Sequence, residues 1–379
     1  MMHLSSALRR FFLKEFTFAL CLCSLLTMTS WAQDEESNPA KSPEASPTAT
    51  PFAQDLPTTP FDAPPGTWTL VILPDTQYYA SFYPEVFRRQ TEWIAAHQAK
   101  HHILFVLHEG DITDKNTAPE WERARIAMDT LNRARIPYAL TCGNHDYIVR
   151  GDKSDRPQPL INTYFKPSDY SNSEKVGFFE EGKLENTWHT FTAPTGQYLV
   201  LALEFGPRDE VLAWANQVVS SMPDHQVLMI THAYLYHDDT RYDWATHGTR
   251  QSGNPKKGQY VRGSVNDGEE MWTKLVSKHP NFQFVFSGHV CADGVAYRSD
   301  KGEAGNLVHQ LLVNFQDGRG AVKPQRGWGG GGFLRLMQFL PDGKTFRIRT
   351  YSPWYDQWLT DPDFAYELTL DEPRAEIAK

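Results

Sequence analysis

Short apolar runs alternate with amphipathic segments through the first part of the chain. Residues 67–73, 103–107 and 136–140 are apolar and rich in β-forming side chains, whereas residues 87–99 and 119–135 are typical of helices. A strand, a polar loop and a helix therefore recur, which is the pattern of a buried and largely parallel sheet. Ligands of such sheets collect beyond the carboxyl ends of the strands.

The second part of the chain predicts more β structure and one long connection. Its predicted elements are a hairpin over residues 188–203, helices over 210–220 and 269–278, strands over 226–230 and 282–286, and a β-rich tail over 307–351. The polar stretch over residues 236–267 is long for a connection, and such loops are often functional lids or disordered. We expect residues 67–370 to form one domain, followed by a short tail over residues 371–379.

Residues 1–32 have the features of a signal peptide. Three basic residues precede a mostly apolar run over residues 16–29, and residues 30–32 resemble a cleavage site. The run is too short for a comfortable membrane span, and an uncleaved anchor is the alternative. Residues 33–66 are rich in Pro, Ser, Thr and acidic side chains and are expected to form a disordered linker. We therefore expect an exported protein, periplasmic or secreted, with no stable membrane insertion after cleavage.

The charge balance argues against a nucleic-acid partner. The chain of 379 residues has a formal net charge of −9, and its first 32 residues carry +2, which leaves −11 for the remainder. A protein with this charge does not attract nucleic acid or anionic membranes over long distances. Large polyanionic substrates are therefore disfavoured, whereas small anionic substrates are compatible with the composition.

Metal-ligand side chains follow five of the predicted strands. They are Asp75 with Gln77, Asp111, Asn144 with His145, His232, and His289. The densest group, GNHD at residues 143–146, is by itself compatible with an ordinary turn. Five such strand ends at the same edge of one sheet would converge on a small volume. Carboxylate, amide and imidazole groups together suit divalent ions such as Mn, Fe or Zn.

Five short motifs lie at these strand ends in a distinctive order. They are Asp75-Thr76-Gln77, Gly110-Asp111, Gly143-Asn144-His145-Asp146, Thr231-His232 and Gly288-His289. Over residues 68–289, this order resembles the calcineurin-like metallophosphoesterase superfamily. The resemblance implies an α/β fold, a four-layer α/β/β/α sandwich of two mixed sheets flanked by helices, with the β-rich tail in the second sheet.

The resemblance also implies a role for each motif residue. The implied metal ligands are Asp75 and Gln77 at a first position, Asp111 as a bridge, and Asn144, His232 and His289 at a second position. His145 would stabilise the phosphoryl transition state or protonate the leaving oxygen, and Asp146 would hold its imidazole and raise its basicity. Two divalent ions, Mn, Fe or Zn, would lie about 3.5–4 Å apart and activate a water.

Two residues depart from the pattern of this superfamily. Gln77 stands where most members have His, and Cys291 stands where the last motif has its second His. The first position therefore lacks both imidazoles, and we expect it to bind metal weakly or more selectively. Cys291 has three interpretations, namely a thiolate ligand that favours Zn, a disulfide with Cys142, or a small inert thiol.

The main hypothesis of function is an exported metal-dependent hydrolase of phosphomonoesters or phosphodiesters, in which a metal-activated water attacks phosphorus in line. Its expected partner is a small phosphate-ester substrate, and neither the substrate identity nor the oligomeric state follows from the sequence. The alternative is a non-catalytic metal-binding module on the same fold. Gln77 and Cys291 favour this alternative, whereas the retained His145 and Asp146 oppose it. A nuclease of the same superfamily is disfavoured by the acidic charge.

Overall fold

The structure is a computed structural model that describes residues 63–292, 294–316 and 328–374. The predicted signal peptide and most of the predicted linker lie outside the described residues, as do residues 375–379 of the predicted tail. Within the described ranges, no helix combines the length and the apolar character needed to cross a membrane.

Strands and helices occupy most of the described chain. The strands are β1 (Trp68–Leu73), β2 (Ile103–His108), β3 (Tyr138–Leu140), β4 (Lys175–Phe178), β5 (Thr187–Ala193), β6 (Gly196–Leu203), β7 (Gln226–Thr231), β8 (Phe282–Ser287), β9 (Val295–Lys301), β10 (Leu307–Val313), β11 (Leu334–Phe339), β12 (Thr345–Ser352), β13 (Gln357–Leu359) and β14 (Tyr366–Thr369). The α-helices are α1 (Gln77–Phe82), α2 (Pro84–His101), α3 (Ala118–Arg133), α4 (Ile161–Tyr164), α5 (Asp209–Ser221), α6 (Trp244–His247) and α7 (Gly268–Lys274).

These elements form two mixed sheets. The first sheet has the order β13-β12-β11-β1-β2-β3, with β14 paired to β12. The second has the order β4-β5-β6-β7-β8-β10-β9. Strands β1 to β3 run parallel to one another, and so do β6, β7, β8 and β10, whereas the outer strands pair antiparallel. The predicted α/β fold class is thereby confirmed.

Three apolar cores separate four layers of secondary structure. Helices α2 and α3 pack on the outer face of the first sheet through residues such as Phe87 and Trp121. The second core lies between the sheets and contains Trp68 of β1 and Phe284 of β8. Helices α5 and α7 cover the outer face of the second sheet, where Met271 belongs to the third core. The layers therefore follow the expected α/β/β/α order.

Two expectations about the sheets are wrong. The β-rich tail does not form the second sheet as a whole, because β11 to β14 join the first sheet and only β9 and β10 join the second. Strand β11 pairs antiparallel with the edge of β1 that β2 leaves open, and Phe339 stacks on Trp68 there. Nor do the five strand ends belong to one sheet, since β1, β2 and β3 lie in the first sheet and β7 and β8 lie in the second.

Candidate metal centre

Four side chains from the ends of four strands aim their ligand atoms at one small volume. The ligand atoms of Asp111, His232 and His289 all lie within 4.8 Å of one another. His232 Nε2 is 3.2 Å from Asp111 Oδ2 and 3.1 Å from His289 Nδ1. Asn144 Oδ1 is 3.0 Å from the same nitrogen atom of His232. These four residues, the bridge and the second position of the sequence analysis, are called the imidazole position below.

Backbone carbonyls fix both imidazoles with one ring nitrogen toward this volume. His232 Nδ1 donates to the carbonyl oxygen of Glu109 at 2.8 Å, which leaves Nε2 as the ligand atom. His289 Nε2 donates to the carbonyl oxygen of Gly253 at 3.0 Å, which leaves Nδ1 as the ligand atom. Such partners set the tautomer and orientation of a metal-binding histidine. The protein therefore orients the two rings for a cation through its own backbone.

A close approach between two loops holds Asp111. Its backbone φ of 45° is unusual for a residue with a side chain. A Cβ atom on Gly143 would collide with the carboxylate and the amide nitrogen of Asp111, so that only glycine fits there. The backbone amide of His145 donates to Asp111 Oδ1 at 2.9 Å. The loops after β2 and β3 therefore fix Asp111 together.

Asp146 ties these two loops together and does not orient His145. Its buried carboxylate accepts hydrogen bonds of 2.8–3.1 Å from three backbone amides of the loops and from the Thr113 hydroxyl. His145 Nδ1 instead donates to the carbonyl oxygen of Asp114 at 2.7 Å. The interpretation that Asp146 holds the imidazole is therefore wrong, because donors of its own loops occupy both carboxylate oxygens.

Asp114 is the residue that positions His145. Its carboxylate Oδ1 lies 3.5 Å from His145 Nδ1, in addition to the bond from that nitrogen to its carbonyl oxygen. Burial opposes the charged form of His145, but the carboxylates of Asp111 and Asp114 outweigh this effect and raise the pKa of the imidazole above its ordinary value. The side chain is 26% exposed. With Nδ1 engaged, Nε2 is the ring nitrogen that remains for a substrate.

The long polar stretch over residues 236–267 packs against the imidazole position. It contains helix α6 and several short turns. Its Gly253 supplies the carbonyl oxygen that accepts the hydrogen bond from His289. The ring of Tyr260 lies with its centroid 5.9 Å from that of His145. The stretch thus helps to position His289, a candidate metal ligand.

Replacing Gly253 should weaken metal binding. Gly253 has a φ of 77°, and a Cβ atom there would collide with His289 Nε2. We expect Gly253→Ala to lower the affinity for Zn²⁺ by about 10–100-fold, the usual effect of losing the hydrogen-bond partner of a metal ligand. Calorimetric titration of the chelator-stripped protein measures this affinity.

Gly182→Ala is the matched control, because Gly182 has the same φ of 77° and a Cβ atom added there would meet no described atom within 4 Å. Equal affinities in the two variants would contradict the assigned role.

Comparison with known proteins identifies the family. The sequence model described as calcineurin-like phosphoesterase matches residues 69–293, which is more than half of the chain. The chain belongs to the calcineurin-like phosphoesterase family. The resemblance that the five motifs carry is thereby confirmed, and a dependence on divalent metal ions is what this family implies.

A curated relative and two solved structures show how far the likeness extends. The uncharacterized protein YvnB of Bacillus subtilis (strain 168) is 31% identical over 297 residues, which cover 76% of this chain and 20% of YvnB. The chain therefore spans about one fifth of the length of that relative. Purple acid phosphatase PPD1 from yellow lupin is 12% identical, with a TM-score of 0.46 over 84% of this chain and 58% of PPD1. GAP50, the anchor in the inner membrane complex of Plasmodium, is 8% identical, with a TM-score of 0.43 over 81% of this chain and 90% of GAP50. The family assignment does not depend on these structural scores.

Asp75 and Gln77, the residues expected at a first metal position, have contacts different from those of the imidazole position. Asp75 lies beside the cluster, where its Oδ1 accepts from the His289 backbone amide at 3.3 Å. Its Oδ2 accepts from Asn314 Nδ2 at 2.7 Å. Gln77 is 1% exposed, and its buried Oε1 has no hydrogen-bond partner among the described residues. We call Asp75, Gln77 and Asp111, the first position and the bridge that the family resemblance implies, the oxygen position.

Sequence reasoning missed Asn314. It follows β10, which runs parallel to β8, so its side chain emerges at the same sheet edge as His289. A polar residue directly after an apolar parallel strand is the signal that could have found it. Its amide ties Asp75 to a strand more than two hundred residues away in sequence.

The structure excludes one of the three interpretations of Cys291. Cys291 and Cys142 are both thiols, so the proposed disulfide between them is wrong. Cys142 is fully buried, whereas Cys291 is partly exposed, with its Sγ atom 4.0 Å from Gln316 Oε1. Cys291 is not a member of the metal-ligand cluster found among the described residues. Its thiol therefore contacts the side-chain amide of Gln316.

The donor set fits a divalent cation. The buried amide oxygen of Gln77 has no hydrogen-bond partner among the described residues, which is costly in a protein interior, and the two imidazoles turn one ring nitrogen each toward the carboxylate of Asp111. The carboxylates around this volume also change the pKa of His232. Burial opposes its charged form, but the carboxylates of Asp111 and Asp75 outweigh burial and raise the pKa of His232 to about 9. In the metal-free protein this ring therefore holds a proton at neutral pH.

Metal binding should release a proton. A cation needs the neutral ring of His232, whose pKa of about 9 makes the protonated form dominant at pH 7. The apparent affinity should therefore fall with falling pH and rise about tenfold per pH unit between pH 7 and about pH 9. Titration calorimetry at pH 7 in buffers of different ionisation enthalpy should show about one proton released per ion. Binding without proton release, and with the same affinity at pH 7 and pH 9, would contradict this account.

Proposed function

We propose that this protein hydrolyses small phosphomonoesters or phosphodiesters in a metal-dependent reaction, and that it acts after export. The observation that carries the proposal is the convergence of Asp111, Asn144, His232 and His289, with His145 held beside them. Membership of the calcineurin-like phosphoesterase family supports a hydrolase of this class. The basic, apolar start of the chain supports export.

Metal ions held by the imidazole and oxygen positions would supply a deprotonated water and would neutralise charge on the phosphoryl group. The protein holds the ligands in place through backbone contacts, namely the Glu109 carbonyl on His232, the Gly253 carbonyl on His289 and the His145 amide on Asp111. These contacts are made before substrate binds, so little reorganisation is needed during the reaction.

His145 is positioned to protonate the leaving group. Its Nδ1 proton is committed to the Asp114 carbonyl oxygen, and its raised pKa favours a protonated ring. A protonated Nε2 can donate a hydrogen bond to the phosphoryl group or a proton to the leaving oxygen. The backbone amide of His145 donates a hydrogen bond to Asp111. This bond couples the position of the His145 imidazole, the proton donor, to that of the candidate metal ligands.

The test compares one monoester with one diester. Chelator-stripped protein is assayed with p-nitrophenyl phosphate and with bis(p-nitrophenyl) phosphate, and Mn²⁺, Fe²⁺, Zn²⁺, Mg²⁺ and Ca²⁺ are then added back singly. We expect turnover to appear only with added metal, and the ratio of the two rates to assign the ester class. Absence of turnover on both esters, in protein shown by elemental analysis to hold metal, would overturn the proposal and favour the metal-binding module. The observation that favours this rival is that Asp75 is not a member of the ligand cluster and accepts a hydrogen bond from Asn314.

A further inference from the structure

A polar cavity lies at the end of β6, where Glu204 and Arg208 line it. Its volume is about 200 Å³, and its other walls come from Tyr147 and from residues 156–159 and 179–186. Among the described residues that line it, none is a candidate metal ligand. One water molecule occupies about 30 Å³ in the liquid, so the cavity has room for a small organic molecule.

The cavity wall carries positive and negative charges in equal number. Three cations and three carboxylates line it, namely Arg156, Lys183 and Arg208 with Glu180, Glu185 and Glu204. A simple anion would face three carboxylates there, and a simple cation would face three positively charged groups. A ligand that complements this wall is neutral overall and carries one charge of each sign.

The aromatic rings of the cavity are covered by guanidinium groups. Arg156 lies 5.5 Å from the centroid of the Tyr147 ring, and Arg208 lies 5.3 Å from that of Phe179. The cationic groups therefore occupy the apolar surface that would otherwise attract a hydrophobic ligand. The lining favours a polar ligand.

Four of the six charged groups already have partners of opposite charge. Arg208 Nε donates to Glu204 Oε1 at 2.9 Å, and Asn186 donates to the other oxygen of Glu204 at 3.1 Å. Lys183 Nζ lies 2.6 Å from Glu180, and their side chains are 42% and 37% exposed. This exposed pair lies at the open side of the cavity.

Glu185 is a buried carboxylate without a cation beside it among the described residues. Both of its oxygens accept from the single amide Nδ2 of Asn162, each at 2.9 Å. The residue is 8% exposed, and the three cations of the cavity pair with other carboxylates. Because a buried charge is costly unless it is paired, an ammonium group is the partner that would satisfy Glu185.

Arg156 and Tyr147 leave two polar atoms without a hydrogen-bond partner among the described residues, namely Nε and the phenol oxygen. The terminal nitrogens of Arg156 donate to the backbone carbonyls of Phe205 and Gly206 at 2.9 and 2.7 Å. The nearest carboxylate oxygen, on Glu204, is 3.6 Å away. A carboxylate supplied by a ligand would offer two acceptor oxygens to these donors.

We propose that this cavity is a binding site for a free amino acid, a small zwitterion whose ammonium group pairs with Glu185 and whose carboxylate pairs with Arg156. The equal numbers of charges, the covered rings and the two incompletely paired groups all point to this class of ligand. The site is separate from the metal centre, and its occupation does not depend on hydrolysis of any ester.

The experiment measures binding to the full chain with its metal bound. Each standard L-amino acid and γ-aminobutyrate is added singly, and thermal unfolding is recorded, because a ligand that binds the folded state raises the melting temperature. The best ligand is then titrated by calorimetry, and we expect one molecule bound per chain. Its N-acetyl derivative lacks the ammonium charge and its carboxamide lacks the carboxylate. Each should bind at least about tenfold more weakly, the effect of losing one charge-assisted hydrogen bond.

Glu185→Gln should weaken binding by about 10–100-fold, because an amide cannot pair with the ammonium group and still accepts from Asn162. Glu181→Gln is the matched control, since Glu181 is exposed in the same segment and does not line the cavity. If Glu185→Gln does not fold, Lys183→Gln serves, with an expected loss of about two- to fivefold, typical of an exposed charge.

Asp111→Asn separates this cavity from the metal centre. Amino acids chelate divalent ions, so a ligand held by bound metal would lose affinity in this variant. A ligand held by the cavity should bind the Asp111→Asn protein as tightly as the wild type.

Three results would overturn this inference. The first is the absence of binding by every amino acid at about 10 mM, far above a typical ligand dissociation constant. The second is equal affinity in folded Glu185→Gln and Glu181→Gln proteins, or in the folded Lys183→Gln protein and the wild type where that variant replaces Glu185→Gln. The third is loss of binding in the Asp111→Asn protein. Ester hydrolysis is not measured in any of these assays, so the proposed function stands or fails separately.

Discussion

Asp111→Asn is expected to abolish metal-dependent hydrolysis while leaving the fold intact. The carboxylate is the expected bridge between two metal ions, with Oδ2 3.2 Å from His232 Nε2 and Oδ1 accepting from the His145 amide. An asparagine of the same shape removes the negative charge that a pair of cations needs between them. We expect turnover to fall by at least about 10³-fold, measured as kcat/KM with the best metal and ester.

The control for this variant is Asp224→Asn, which makes the same chemical change at an exposed residue before β7. Circular dichroism and thermal unfolding of both variants separate a lost site from a lost fold. Full activity in a folded Asp111→Asn protein would refute the placement of the metal centre. Reduced activity in the Asp224→Asn protein would show that the assay responds to charge alone.

His145→Gln is expected to lower kcat by about 10²–10⁴-fold, the range for loss of a positioned acid or base. The imidazole contacts the Asp114 carbonyl oxygen and is not a member of the metal-ligand cluster. Bound metal, weighed by elemental analysis, should therefore stay at the wild-type amount. This combination of unchanged metal and lost turnover separates an enzyme from the metal-binding module, in which His145 has no chemical task.

His279→Gln is the matched control for this second variant. His279 precedes β8, at the end of the strand opposite to His289, and bonds to Asn216. Its loss should leave kcat within about twofold of the wild type, apart from any effect on stability. Equal rates for the His145→Gln variant and the wild type would exclude His145 from the reaction.

Local sequence patterns predicted the framework of this fold because they depend on neighbouring residues alone. The apolar runs that become β2, β7 and β8 are short and bounded by polar residues, and each corresponds closely to a predicted strand. The pairing of β1 with β11 joins residues about 270 positions apart, and no local pattern encodes such a partner. The assignment of the tail to the second sheet was wrong for this reason.

The motif residues of the site were found from their positions at strand ends, but their contacts were not. The family resemblance implies that Asp146 holds the imidazole of His145, its neighbour in sequence. In the structure, a 3₁₀ turn over His145–Tyr147 directs the carboxylate of Asp146 toward the loop amides. Asp114, whose carbonyl oxygen accepts a hydrogen bond from His145, lies in the loop after β2. The Gly253 carbonyl and the Asn314 amide likewise come from distant segments, so only the folded chain reveals them.

The most direct test of the central claim follows turnover and bound metal in the same titration. Chelator-stripped protein receives increasing amounts of Mn²⁺ or Zn²⁺, and each sample is divided between an ester-hydrolysis assay and elemental analysis. The account predicts no turnover without metal and a rate that rises in proportion to occupied sites in the wild type, with no rise in Asp111→Asn protein. Full turnover in metal-free protein would contradict it, as would fully occupied protein that hydrolyses neither ester.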